Sequence, residues 1–166
     1  MNLEQFDRSA EKFADTFVGI PEEMLIEMAT DGHATLDSKV GVHLARSRVE
    51  LEGLDVSGLV VVYAIWGEHK RLLPYSEANP TGENSLHAKL DQLKWLLGED
   101  SDWKIVAVDD GCPDKSAEVA RAQADTHKLG HKVDVIKLQD KIDSKDPLVP
   151  SDLVSADDSR KGGALV

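Results

Sequence analysis

The chain has 166 residues, 41% apolar and 30% charged, a balance that excludes wholesale disorder and allows one domain with a real core plus a helical appendage. Its formal net charge of -12 repels phosphate backbones and anionic lipid heads, so nucleic acid and bare membrane are poor partners and any anionic ligand needs a local cluster of donors. A single cysteine, Cys112, excludes an intrachain disulfide and a CxxC metal site, which fits a reducing compartment.

Met1 to Asp7 offers neither a basic leader nor an apolar signal core, and no run approaches the roughly 20 apolar residues that a membrane span requires. A cytoplasmic location is the expectation. Residues 1–57 form an expected N-terminal helical extension, because apolar positions recur at helical spacing through Phe6, Phe13 and Phe17, then Met24, Leu25 and Met28. Pro21 with Glu22 and Glu23 suits a helix first turn, and Asp31-Gly32 suits its end. A third helix is predicted from Ser38 to Glu52, with Val42, Ala45 and Val49 on one face and Gly53 closing it. These helices are the place for a protein partner or for self-association.

From Leu59 the pattern changes. Leu59 to Ile65 is a continuous apolar run of the kind that a strand covered on both faces carries. Gly67 to Glu83, with Pro74, Asn79-Pro80 and Gly82, reads as a long exposed loop. Leu86, Leu90, Leu93 and Leu97 give a helix one apolar face, and Gly98 stops it. Ile105–Val108 reads as a second buried strand, Lys115 to Lys128 as a helix, and Val133 to Leu138 as a third strand. The fold class is therefore α/β: a Rossmann-like βαβαβ unit in three layers, with a mainly parallel sheet, preceded by helices. Right-handed crossovers bring Trp66 to Glu68, Asp109 to Asp114 and the segment after Leu138 to one sheet edge. Gln139 to Asp158, rich in Asp, Ser and Pro, reads as irregular.

The chemistry concentrates at that edge, where open α/β sheets bind ligands. Asp110-Gly111 is a turn signal, and Asp114 is placed to cap the next helix. A turn needs one carboxylate, whereas Asp109 and Asp110 supply two. A nucleobase N–H or a ribose hydroxyl is what such acceptors bind. Trp66 ends the first strand as an aromatic surface for a base or as a packing residue of the sheet edge. Arg160, Lys161 and Gly162 place two cations before glycines, an arrangement suited to a diphosphate or to a mobile tail.

In this order the three segments resemble the nucleotide-sugar-binding half of a family 2 glycosyltransferase with the GT-A fold, over residues 59–166. The family's strand-end motif is two aspartates, a glycine, a small residue, a further residue and an aspartate. Asp109-Asp110-Gly111-Cys112-Pro113-Asp114 matches it, and the resemblance implies that Asp110 contacts the nucleobase. The family's first strand usually ends in proline, any residue, tyrosine, asparagine and glutamate. Ala64, Trp66, Gly67 and Glu68 stand at the named places, and only Glu68 is identical. Family members carry a basic, glycine-rich segment like that at Arg160, and the loop before it is longer here.

The resemblance implies a complete enzyme that transfers a glycosyl group from a nucleotide diphosphate sugar to an acceptor hydroxyl, with Mg²⁺ or Mn²⁺ neutralising the departing diphosphate. The family's metal-binding DxD motif, the catalytic base and the acceptor site are expected downstream of Val166. This chain alone is thus expected to bind nucleotide weakly and not to catalyse transfer. A receiver-type phosphoacceptor domain also uses an acidic pair at a strand end, but there the pair sits on the first strand and here it sits on the second. A non-enzymatic interaction module docking through its helices is the other alternative. His127 and His131 are four apart with Gly130 between them and lack a completing ligand pair, so zinc is not expected. His69, Lys70 and Arg71 form a short basic patch, expected to be solvated.

Overall fold

The structure, a computed structural model, describes residues 3–52 and 57–159. The chain divides into two compact units. One takes in the described residues up to Glu52 together with Lys94–Gly98, and the other takes in 57–93 and 99–159.

In the first unit, helices run over Leu3–Thr16 (α1), Glu22–Thr30 (α2) and Leu36–Glu52 (α3). Pro21 stands at the cap of α2, where its fixed φ of -55° suits a helix entry and its missing N–H costs nothing. Ala14, Leu25, Val42 and Ala45 form the buried cluster, with Phe17, Ile20, Met28 and Trp95 packed against it. Small residues let α1 and α3 approach closely: a Cβ on Gly41 would lie 2.6 Å from Cβ of Phe13 and 2.7 Å from the Ala10 carbonyl oxygen. Val49 departs from the expected buried face and is 41% exposed. α1 ends level with Arg48, whose guanidinium reaches Asp15 at 3.4 Å, so little of α1 remains to cover the next turn of α3. The expected stop at Gly53 lies outside the described residues.

The second unit is built on three parallel strands, Leu59–Ile65 (β1), Trp103–Asp109 (β2) and Val133–Lys137 (β3), in the order β1-β2-β3. Val62 lies beside Val106, and Val106 beside Asp134. Helices Ser85–Leu97 (α5) and Ser116–Thr126 (α6) make the crossovers, and short helices cover His69–Leu72 (α4) and Leu138–Asp143 (α7). The last turn of α5 belongs to the first unit. The fold class is thus α/β, a Rossmann-like parallel βαβαβ unit with helices ahead of it.

Both crossover helices attach to one face of the sheet. Tyr63 Oη lies 2.8 Å from Ser85 Oγ of α5, and Lys137 pairs with Glu118 of α6. Tyr63 and Lys137 belong to the same face, together with Ile65, Ile105 and Ala107, which are fully buried. Burial raises the Tyr63 phenol above its ordinary pKa, against the opposing effect of its hydrogen bond with Ser85. The opposite face carries Val60 and Val62, exposed by 53% and 46%. The expectation that β1 is covered on both faces therefore fails: continuous apolar sequence records two apolar faces, not two covered ones.

Two segments are more regular than the sequence indicates. The stretch from Gly67 to Glu83 begins with α4 and is then folded on Asn79, whose amide donates to the carbonyls of Lys70 (2.8 Å) and Pro74 (3.2 Å). Arg71 pairs with Glu83 across the same segment, and such isolated contacts leave no periodic signal. Gln139 to Asp158 likewise contains most of α7 and a 3-10 turn over Ala156–Asp158, both too short for periodicity to reveal. No helix among the described residues is long and apolar enough to cross a membrane.

Candidate functional site

β2 ends in two carboxyl groups with different tasks. Asp109 is 6% exposed, and its Oδ1 accepts the Cys112 amide at 2.8 Å, closing the turn that Gly111 makes at φ +75°. Asp110 is fully buried, its backbone N–H reaching the Ile65 carbonyl at the end of β1. Oδ1 of Asp110 accepts the Ser159 hydroxyl at 2.7 Å, and Oδ2 is buried with no hydrogen-bond partner among the described residues. Leaving such a group unsatisfied costs about 1–3 kcal/mol, so a fold keeps one only where something else is gained.

The turns after β1 and β2 are stitched together by three consecutive backbone amides. Gly67 N–H donates to Cys112 Sγ (3.1 Å), Glu68 N–H to Ser116 Oγ (3.0 Å), and His69 N–H to Asp114 Oδ2 (3.4 Å). The buried Ser116 hydroxyl in turn donates a hydrogen bond to Asp114 Oδ1, and His69 Nδ1 lies 2.8 Å from Asp114 Oδ2. Burial raises the Asp114 carboxyl, but the hydrogen bonds from Ser116 and His69 outweigh it and leave the group below its ordinary pKa. Asp114 is consequently not the cap of α6, which begins after Lys115 with no side-chain cap. Its Oδ1 takes the Ser116 hydroxyl rather than a backbone amide of the helix, and its Oδ2 is turned to His69 of the neighbouring loop.

Cys112 is half-buried, and burial, with Asp109 and Asp114 nearby, raises its thiol above the ordinary pKa despite the bonds from Ser116 and Gly67. That is the opposite of an activated thiolate. Glu68 is 7% exposed and accepts Arg71 at 2.9 Å, while Arg71 also reaches Glu83 at 2.8 Å. The patch at residues 69–71 is therefore largely committed: His69 and Arg71 are paired, and Lys70 is exposed.

Of the residues singled out from sequence, Asp109, Asp110 and Glu68 lie buried in these adjoining turns. Trp66 stands 42% exposed just beyond β1, and Ala64 is half-buried beside Val108. Arg160, Lys161 and Gly162 lie outside the described residues. Sequence reasoning passed over Ser116, which contacts Asp114, and gave no role to Ser159, which opens the basic segment and contacts Asp110; a lone serine at a helix start or in a polar loop gives no pattern to read. It also passed over the pairing of His87 with His127, whose rings lie 4.8 Å apart between α5 and α6. Among the described residues there is no group of three or more His, Cys, Asp or Glu side chains able to hold a metal ion. The described donor set thus does not fit a divalent cation, and no metal-dependent step is assigned to it.

No protein-family model matches the chain, and no curated protein and no solved structure shows significant similarity to it.

Proposed function

We propose that the second unit is the nucleotide-sugar-binding half of a glycosyltransferase of family 2 type. The observation that carries this reading is Asp110: a fully buried carboxyl group with one oxygen unpartnered, at the carboxyl end of a parallel sheet. An oxygen so placed suits a ring N–H of a uracil or guanine base, and Trp66 beyond β1 offers an aromatic surface for the ring. Asp109 acts indirectly, since its bond to the Cys112 amide fixes the turn that positions its neighbour.

The donor is a nucleotide diphosphate sugar, and transfer joins its anomeric carbon to an acceptor hydroxyl oxygen as the nucleoside diphosphate leaves. Mg²⁺ or Mn²⁺ would supply charge neutralisation for that leaving group, on residues other than those described. The task assigned to this chain is to bind and orient the nucleoside, in a cytoplasmic setting.

Thermal-shift titrations with UDP, GDP, CDP and ADP test the reading. One nucleotide is expected to raise the melting temperature of the full chain, and Asp110→Ala is expected to abolish that rise. A rise that survives in Asp110→Ala, or none with any nucleotide, overturns it.

A further inference from the structure

The chain between β3 and the basic segment is longer than the resemblance leads one to expect, and its last described residues come back to the sheet edge. Ser159 bonds to Asp110, and the backbone of Ala156 and Asp157 lies against Gly111 so closely that a Cβ there would be 2.9 Å from both Ala156 C and Asp157 N.

We propose that Ser155–Ser159 is a displaceable strap, in which the Ser159 hydroxyl occupies Asp110 until the N–H edge of a ligand ring takes its place. The inference rests on the nucleotide-binding reading above and adds how that site is opened. Asp110 has no exposed surface, so a base edge reaches it only when its cover moves. The part of the cover bonded to Asp110 is an O–H donor, of the same kind as the ring N–H it stands in for.

The closed arrangement is poorly satisfied, which makes it replaceable. Ser159 serves one carboxyl oxygen and leaves the other without a hydrogen-bond partner among the described residues. Asp157 brings a further carboxylate, its Oδ1 3.0 Å from where a Gly111 Cβ would stand, to the turn that already holds Asp109 and Asp110, and like charges oppose closure. Besides the Ser159 hydroxyl on Asp110, the strap is tied to α7 by Ala156 N–H on Gln139 Oε1 at 3.0 Å, and its other backbone bonds, from Asp157 and Asp158 N–H to Ser155 and from Ser159 N–H to Ala156, are local to the strap. Of its residues only Ala156 is buried. Segments with so little burial open at low free-energy cost.

The test uses the full chain and three proteins: wild type, Ser159→Ala and Gly111→Ala. UDP, GDP, CDP and ADP are titrated calorimetrically, and amide exchange is followed by mass spectrometry over 155–159. Ser159→Ala is expected to bind the responding nucleotide about tenfold more tightly, the factor that one hydrogen bond to a carboxylate accounts for. Nucleotide is expected to speed exchange at Asp157–Ser159 in wild type, and Gly111→Ala to do so without nucleotide. Equal or weaker binding by Ser159→Ala, or strap amides that stay protected in the bound state, overturns the strap alone. Absence of binding by all three proteins overturns the nucleotide reading and the strap's ligand with it.

Discussion

The helical unit and the strand-end turns bury opposite kinds of atoms. Within α1 to α3 the buried residues among those described are Ala10, Ala14, Leu25, Gly41, Val42 and Ala45, whereas the four buried polar residues, Glu68, Asp109, Asp110 and Ser116, all lie just after or at the ends of β1 and β2 or at the start of α6. Apolar burial needs only complementary shape and releases surface from water. Polar burial costs desolvation, and the cost is recovered bond by bond. Asp109 and Ser116 recover it and Asp110 does so by half, so the contrast separates a region chosen for stability from one in which stability has been given up.

Three substitutions probe that contrast, in order of expected effect. Leu25→Ala empties the middle of the helical cluster and is expected to cost about 3 kcal/mol in urea unfolding; a loss below about 1 kcal/mol would mean that this core is loose and the contrast false. Ser116→Ala removes the acceptor for the Glu68 amide and the donor to Asp114, for an expected loss of about 1–2 kcal/mol. It also reshapes the acid limb. Asp114 is held below its ordinary value of 3.8, so as pH falls through that value the unfolded chain takes up a proton before the native one does. The stabilisation is complete above about pH 4 and is lost below it, and Ser116→Ala is expected to make that decline shallower. An unchanged acid limb would show that Ser116 does not hold Asp114 down.

Asp110→Ala has the smallest expected effect on folding, within about 0.5 kcal/mol of wild type or slightly stabilising, because the group it removes is half unsatisfied. A loss above about 2 kcal/mol in the same unfolding assay would place Asp110 among the structural residues and remove the reason for reading a ligand site there.

Periodicity made the sheet legible. β1 spans the residues predicted for it, β2 extends the predicted Ile105–Val108 by a few residues, and β3 loses only Leu138, which opens α7. Gly98 stops α5 at φ +88°, as a glycine in that place does. What the sequence withheld is aperiodic: the fold of 67–83 around Asn79, the helix at Leu138–Asp143, and the bonding of Asp114 to the Ser116 side chain and to His69 in place of a helix cap. The acidic pair itself was conspicuous. Its division of labour was not, because whether a carboxyl closes a turn or keeps an oxygen unpartnered depends on residues as distant in sequence as Ser159.

A run of successive backbone N–H groups at the start of a helix or turn is the ordinary cradle for an oxyanion. At residues 67, 68 and 69 each such group already points at a sulfur or oxygen of the neighbouring loop. In a chain of net charge -12, that engagement closes one natural berth for phosphate beside the Asp110 turn. A corner built in this way can select an uncharged hydrogen-bonding ring, and at these three amides it offers an anion nothing to hold.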